Sequence, residues 1–139
     1  MKIDAHQHFW HYRKHEYPWI GPGMDALSRD YLPAEFERLM RSAGFGGSIA
    51  VQARQVPEET AWLLDLADAH PFIKGVVGWV DLRSAVLRRQ LEQFACRPTL
   101  RGVRHVLHDE PDDLFMLRKD FLTGISLLGE FGLVYGLRE

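Results

Sequence analysis

The run Ile3-Asp4-Ala5-His6-Gln7-His8-Phe9-Trp10 decides how the rest of this chain is read. Lys2 to His8 reads as a β-strand, and in an extended backbone residues i, i+2 and i+4 share a face. Asp4, His6 and His8 are therefore expected to project together, with Ile3 and Ala5 on the other side. Two imidazoles at one strand end make a natural ligand pair, because neutral ring nitrogens bind zinc and similar divalent ions well. A His-x-His pair is common by chance, so its weight comes from its surroundings. It closes the first strand of an alternating series and runs into a long connection, residues 9–32, that carries Trp10, Tyr12, Tyr17 and Trp19. Connections of that length inside a compact domain are uncommon; this one reads as a cover packed over one end of the sheet or a segment that faces substrate, and the two can both hold.

Outward from that strand, short apolar segments alternate with longer amphipathic ones, which is the sequence mark of βαβ units and a parallel sheet. Further strands are expected at Gly47 to Ala53, Ile73 to Val80, Arg101 to Leu107 and Leu133 to Leu137, all rich in Val, Ile or aromatic residues. Helices are expected at Pro33 to Ala43, from Pro57 to the stop at Pro71, at Ser84 to Cys96 with a serine cap, and at Lys119 to Phe131. Their apolar stripes are Phe36, Leu39, Met40 and Ala43; Trp62, Leu63, Leu66 and Ala69; Val86 or Leu87, Leu91 and Phe94; and Phe121, Leu122, Ile125, Leu128 and Phe131. Gly124 and Gly129 weaken the last of these.

Bulk properties remove several function classes. The 139 residues are 46% hydrophobic and carry a formal net charge of −2, with both signs mixed along the chain. No strong field points to nucleic acid or an anionic membrane. The amino terminus turns polar within a few residues, no stretch approaches a membrane span, and the single cysteine, Cys96, has no internal disulfide partner, so a cytoplasmic setting is expected. Neither GxGxxG nor GxxxxGK[ST] occurs, which argues against a nucleotide-binding fold.

Five blocks in order carry a family resemblance: IDAHQHFW at Ile3 to Trp10, YPWI at Tyr17 to Ile20, VQA at Val51 to Ala53, VVGWVDL at Val76 to Leu82 and GVRHVLHDEPD at Gly102 to Asp112. Together they resemble the amidohydrolase 2 group of the amidohydrolase superfamily, which includes L-fuconolactone and L-rhamnonolactone hydrolases. The resemblance implies a (β/α)8 TIM barrel and hydrolysis of a sugar lactone or related carboxyl-derived bond by water at the barrel mouth. His6 and His8 match the family's first-strand pair, which holds a divalent metal such as zinc or, in metal-independent relatives, positions substrate. Gln52 ends the second strand, where it either bonds a sugar hydroxyl or caps a loop. Trp79 either stacks on a sugar face or belongs to the core. Arg104, in an otherwise apolar strand, needs a partner: a substrate carbonyl or carboxylate, or a salt bridge to Asp4 or Asp81. His105 has the opposite strand parity, and reaches the mouth only if the strand bends there. Tyr135 matches a family position that donates a phenolic hydrogen bond, although Gly136 stands where relatives place an aspartate. His11, His15, His70 and His108 read as solvated.

A barrel of this type has eight strands and roughly 250 residues. The chain is therefore expected to be the amino-terminal part, residues 1–139, of a single barrel domain, an incomplete barrel of about five parallel strands and four helices. Uncovered faces and edges would favour self-association or pairing with a complementing carboxyl-terminal half. Two other readings stand beside the lactonase: a decarboxylase of the same superfamily, and a non-catalytic half-barrel that binds or assembles.

Overall fold

Five parallel strands lie side by side in chain order in the computed structural model, which describes residues 1–137. They are β1 (Ile3–Gln7), β2 (Gly47–Val51), β3 (Ile73–Gly78), β4 (Leu100–Arg104) and β5 (Val134–Gly136). The helices between them are α1 (Pro33–Ser42), α2 (Pro57–Ala69), α3 (Leu87–Ala95) and α4 (Lys119–Leu128). This is half of a TIM barrel, built of successive βα units, as the alternation predicts.

The strands stop one to three residues before the apolar runs do. Beyond Gly78, the Thr60 hydroxyl of α2 replaces a neighbouring strand, accepting from Trp79 N–H at 2.7 Å and donating to its carbonyl. Beyond Arg104, the Gln55 side chain accepts from Val106 N–H at 2.7 Å. The ladder ends where side chains from the mouth loops take over the backbone groups.

Partnered residues share a sheet face. Ala50 opposite Val76, and Val103 opposite Tyr135, point to the helices, where Leu63, Leu91, Phe94, Phe121 and Leu128 complete one continuous core. Val77 opposite Gly102, and Gly102 opposite Val134, point to the inner face. That face is thinly covered among the described residues, and Val134 is 62% exposed.

Three helix readings are corrected. On α2 the buried stripe is Thr60, Leu63, Leu64 and Ala67, with Glu59 buried beside it, rather than a stripe through Ala69. The helix is rotated to bring Thr60 to Trp79. α3 begins at Leu87, not Ser84, whose hydroxyl instead accepts from Val86 N–H at 3.1 Å in a turn ahead of the helix. The fourth helical segment tightens into a 3-10 turn at Gly129–Phe131, closed by Gly132 at φ 66°. At the start of α4, Arg83 and then Arg118 hold the Asp120 carboxyl down to about 2, which ties the β3–α3 loop to this helix through an Arg83–Asp120 contact of 2.9 Å.

Candidate active site

β1 carries an irregularity that re-aims its polar residues. Asp4 pairs with Ser48 and Gln7 with Ala50, so three steps along β1 oppose two along β2. One residue is extra, a bulge. Ser48 and Ala50 share a face, hence so do Asp4 and Gln7, and the expected grouping of Asp4 with the histidines is wrong. Gln7 is buried and reaches Ser48 Oγ at 3.5 Å, while Asp4 turns back to accept His6 N–H at 3.1 Å. His6 and His8 do converge, with their Nε2 atoms 3.2 Å apart.

The proton on His8 can be assigned from its other nitrogen. Nδ1 lies 2.9 Å from the Val51 carbonyl, which only accepts, so Nδ1 carries the hydrogen and a neutral ring presents the Nε2 lone pair toward His6. Such a backbone anchor on the far nitrogen is how metal-binding histidines are oriented. Zinc–nitrogen bonds are roughly 2.0–2.1 Å, so two nitrogens on one tetrahedral ion stand about 3.3 Å apart. The observed separation fits that spacing. Among the described residues no group of three or more His, Cys, Asp or Glu could hold a metal, so the histidine pair would be only part of a ligand set.

Arg104 comes from β4 to the same place. Its Nη2 donates at 2.7 Å to both the carbonyl and the side-chain oxygen of Gln52, and its Nη1 lies 3.4 Å from His6 Nε2. Gln52 thus supplies the polar partner that a cation in an otherwise apolar strand requires. Gln52 is fully buried, so its oxygen serves to aim the guanidinium. The two residues, far apart in sequence, form one unit at the ends of β2 and β4.

His8 and Arg104 open onto a cleft of about 700 Å³, walled by the long β1–α1 loop with His15, Glu16, Pro18 and Trp19, by Arg54 to Val56, and by Val106, His108 and Asp109. A larger open groove of about 1060 Å³ lies elsewhere, outside between α3 and α4. The other expected site residues sit beside the cleft rather than in its wall. Trp79 donates its indole N–H to His105 Nδ1 at 3.1 Å. His105 bonds Glu110 through Nε2 and stacks on Phe115 with ring centroids 4.9 Å apart. Its parity carries it to the helix side with Val103. Tyr135 packs edge-on against Phe121, and burial pushes its phenol up, keeping a hydroxyl that donates to the His105 carbonyl at 3.4 Å.

Glu59 is the residue that the sequence reading missed. It is 0% exposed, yet its carboxylate accepts Ala53 N–H at 2.6 Å, Arg54 N–H at 3.1 Å and Arg54 Nε at 2.7 Å. Arg54 in turn reaches Glu16 at 3.0 Å, so one chain of charges joins α2, the β2–α2 loop and the long aromatic loop. The only sequence signal was an acid in the first turn of a helix, which also describes the exposed Glu58. Glu59→Ala is expected to cost about 3 kcal/mol, since it strands two backbone donors and a partly buried guanidinium. Urea unfolding beside Glu58→Ala, expected within about 0.5 kcal/mol of the parent, measures it; equal midpoints would show the buried acid to be inert.

Comparison with known proteins gives the family and the fold. The amidohydrolase family profile matches residues 3–138. The chain belongs to the amidohydrolase family. Among curated relatives of this amidohydrolase chain, the L-fucono-1,5-lactonase of Burkholderia multivorans is 48% identical over 137 residues, 97% of this chain and 46% of that protein. The L-fucono-1,5-lactonase of Burkholderia ambifaria is 38% identical over 113 residues, covering 81% and 39%. A crystal structure of an amidohydrolase from Burkholderia multivorans with bound zinc superposes with TM-score 0.94 at 46% identity, over 99% of this chain and 48% of that one. Amidohydrolase 2 from Bifidobacterium longum, at 23% identity and TM-score 0.70, shares the fold. The chain thus spans about half the length of the relatives it matches. No helix among the described residues is long and apolar enough to cross a membrane.

Proposed function

We propose that this amidohydrolase chain contributes the first half of a site that hydrolyses a sugar lactone of the L-fucono-1,5-lactone type. The observation that carries the reading is the convergence of His6 with His8 and the Gln52-anchored Arg104, the latter two lining one cleft, in a chain 48% identical to an L-fucono-1,5-lactonase. His6 and His8 are the residues that would hold a divalent ion such as zinc, which when bound would supply Lewis-acid polarisation of the lactone carbonyl. Arg104 presents a fixed positive charge beside His6, where negative charge on an attacked carbonyl oxygen would be stabilised. Its aim is set by Gln52 and therefore needs no reorganisation during reaction. The loop from Phe9 to Leu32 narrows access of water to the cleft. Tyr135, His105 and Trp79 support the floor of the site from the helix side, in contacts that fix where β4 gives way to its loop.

The five strands here are fewer than the eight of a closed barrel, so groups from further strands complete the reacting centre. Alone, the 139 residues are expected to hydrolyse sugar lactones little or not at all, because none of the residues assigned to the site is placed to activate water, and a positioned proton-transfer group is worth about 10²–10⁴ in rate. Co-expression with the carboxyl-terminal half of the Burkholderia multivorans lactonase, assayed on L-fuconolactone and L-rhamnonolactone, is expected to restore turnover. Full activity of the chain alone would refute the need for added strands. An assembled but inactive complex would favour the non-catalytic binding reading.

A further inference from the structure

We propose that Trp19 is the platform on which the sugar ring stacks in the cleft; the inference rests on the sugar-lactone reading above and assigns the residue that grips the non-reacting part of the substrate. The side chains that flank it in the aromatic cluster are buried: Trp10 is 6% exposed, Tyr17 1% and Ile20 7%. Trp19, between them in sequence, is 45% exposed and lines the cleft that holds His8 and Arg104. It is not a loose side chain. Ile20 N–H bonds the Tyr17 carbonyl at 3.0 Å, so Tyr17-Pro18-Trp19-Ile20 is a β-turn with proline at its second position. The indole meets the Trp10 ring at 5.8 Å and 89° and the Tyr17 ring at 6.4 Å and 77°. The residue before the turn, Glu16, is tied to Arg54 and through it to the buried Glu59. Three constraints thus hold a large apolar surface in one place while leaving it partly uncovered, which is the preorganised state of a binding surface.

The chemistry of the cleft says what suits that surface. Pro18, Trp19, Val56 and Val106 supply apolar area, while His8 and Arg104 supply donors and acceptors. A pyranose-type ring has this two-sided character, and in the galacto configuration of L-fuconolactone the C–H bonds at carbons 3, 4 and 5 gather on one face. An indole receives such a face through its ring quadrupole and apolar area. Trp79, the sequence's candidate for this role, has its indole N–H committed to His105 and does not line the cleft.

The test uses the chain labelled with 5-fluorotryptophan, whose four indoles give four fluorine resonances assigned by single Trp→Phe substitutions. L-fucose, a closed ring with no lactone carbonyl, is the probe. The Trp19 resonance is expected to shift saturably while those of Trp10, Trp62 and Trp79 stay put. Read by saturation-transfer NMR on the L-fucose signals, Trp19→Ala is expected to weaken binding about tenfold, and Trp19→Tyr to retain most of it. An unchanged Trp62 resonance, whose ring meets His11 of the loop, and an unchanged unfolding midpoint in Trp19→Ala certify that the loop has kept its fold; if either moves, Trp19→Tyr alone decides, and affinity lost there as well would overturn the assignment. Movement of Trp79 instead, or of no resonance, would also overturn it. Should the reassembled enzyme fail to turn over lactones while Trp19 still responds, lactone hydrolysis falls and the platform stands. Turnover with an unmoved Trp19 would sink the platform alone.

Discussion

In the enzyme reassembled with a lactonase carboxyl-terminal half, His6→Ala/His8→Ala is expected to lower kcat/KM on L-fuconolactone by about 10³ or more and to abolish stoichiometric zinc in the purified protein. The two rings meet at a nitrogen separation of 3.2 Å, matched to one shared cation, and the Val51 carbonyl fixes His8 with its lone pair toward that point. Loss of both removes the ligand pair and with it a charge stabilisation worth several kcal/mol in the transition state. Metal analysis before and after substitution reads the first effect independently of activity. Unchanged metal content in the double variant would refute the ligand assignment even if activity fell. Activity lost without any zinc in the parent protein would instead leave the pair as a substrate-positioning element beside Arg104.

Gly124→Ala should unfold the chain or cost at least about 3 kcal/mol, although alanine is the better helix former by about 1 kcal/mol. A Cβ at Gly124 would stand 1.9 Å from the Leu82 carbonyl oxygen and 2.8 Å from its carbon. Both are backbone atoms of the loop that Arg83 ties to Asp120, so neither has a flexible end that can swing aside. Gly129→Ala is the control: its Cβ would meet nothing within 4 Å, and its φ of −60° suits any residue, so that substitution is expected to gain a few tenths to 1 kcal/mol. Thermal unfolding of the two variants beside the parent decides between them. A tolerated Gly124→Ala would mean that α4 can lift away from the β3–α3 loop.

The two glycines look alike in sequence, and both read as weak points in a helix. Only the close approach of α4 to Leu82 separates them. The same holds for the acids Glu58 and Glu59, adjacent at one helix start, of which a single one is turned into the protein to bind the Ala53–Arg54 backbone. Rotation of α2 about its axis made that choice, and the rotation is set by Thr60 reaching Trp79. Periodicity cannot register it, because Glu59 and Thr60 are polar residues on the buried stripe.

Among the site residues, the histidine pair was legible because period-2 alternation and its place before a long loop are local properties. Arg104 was legible as a cation that needed a partner. Its partner was not, since Gln52 lies 52 positions away, and pairing across β2 and β4 depends on strand register. Trp79 read either as a stacking ring or as a core residue, and its engagement depends on His105, which lies 26 positions away in sequence.

By itself, then, the sequence determined the βα order, the parallel sheet, the helical stripes in outline and the histidine pair, all consequences of backbone geometry acting within about ten residues. The tertiary structure decided what depends on how separate elements meet. It inserted the bulge in β1 that takes the Asp4 side chain off the face shared by His6 and His8, joined Gln52 to Arg104, buried Glu59 and not Glu58, and brought the Leu82 backbone against Gly124 but nothing against Gly129. Those choices arise from register, helix rotation and contact distance, quantities fixed only when the elements pack together.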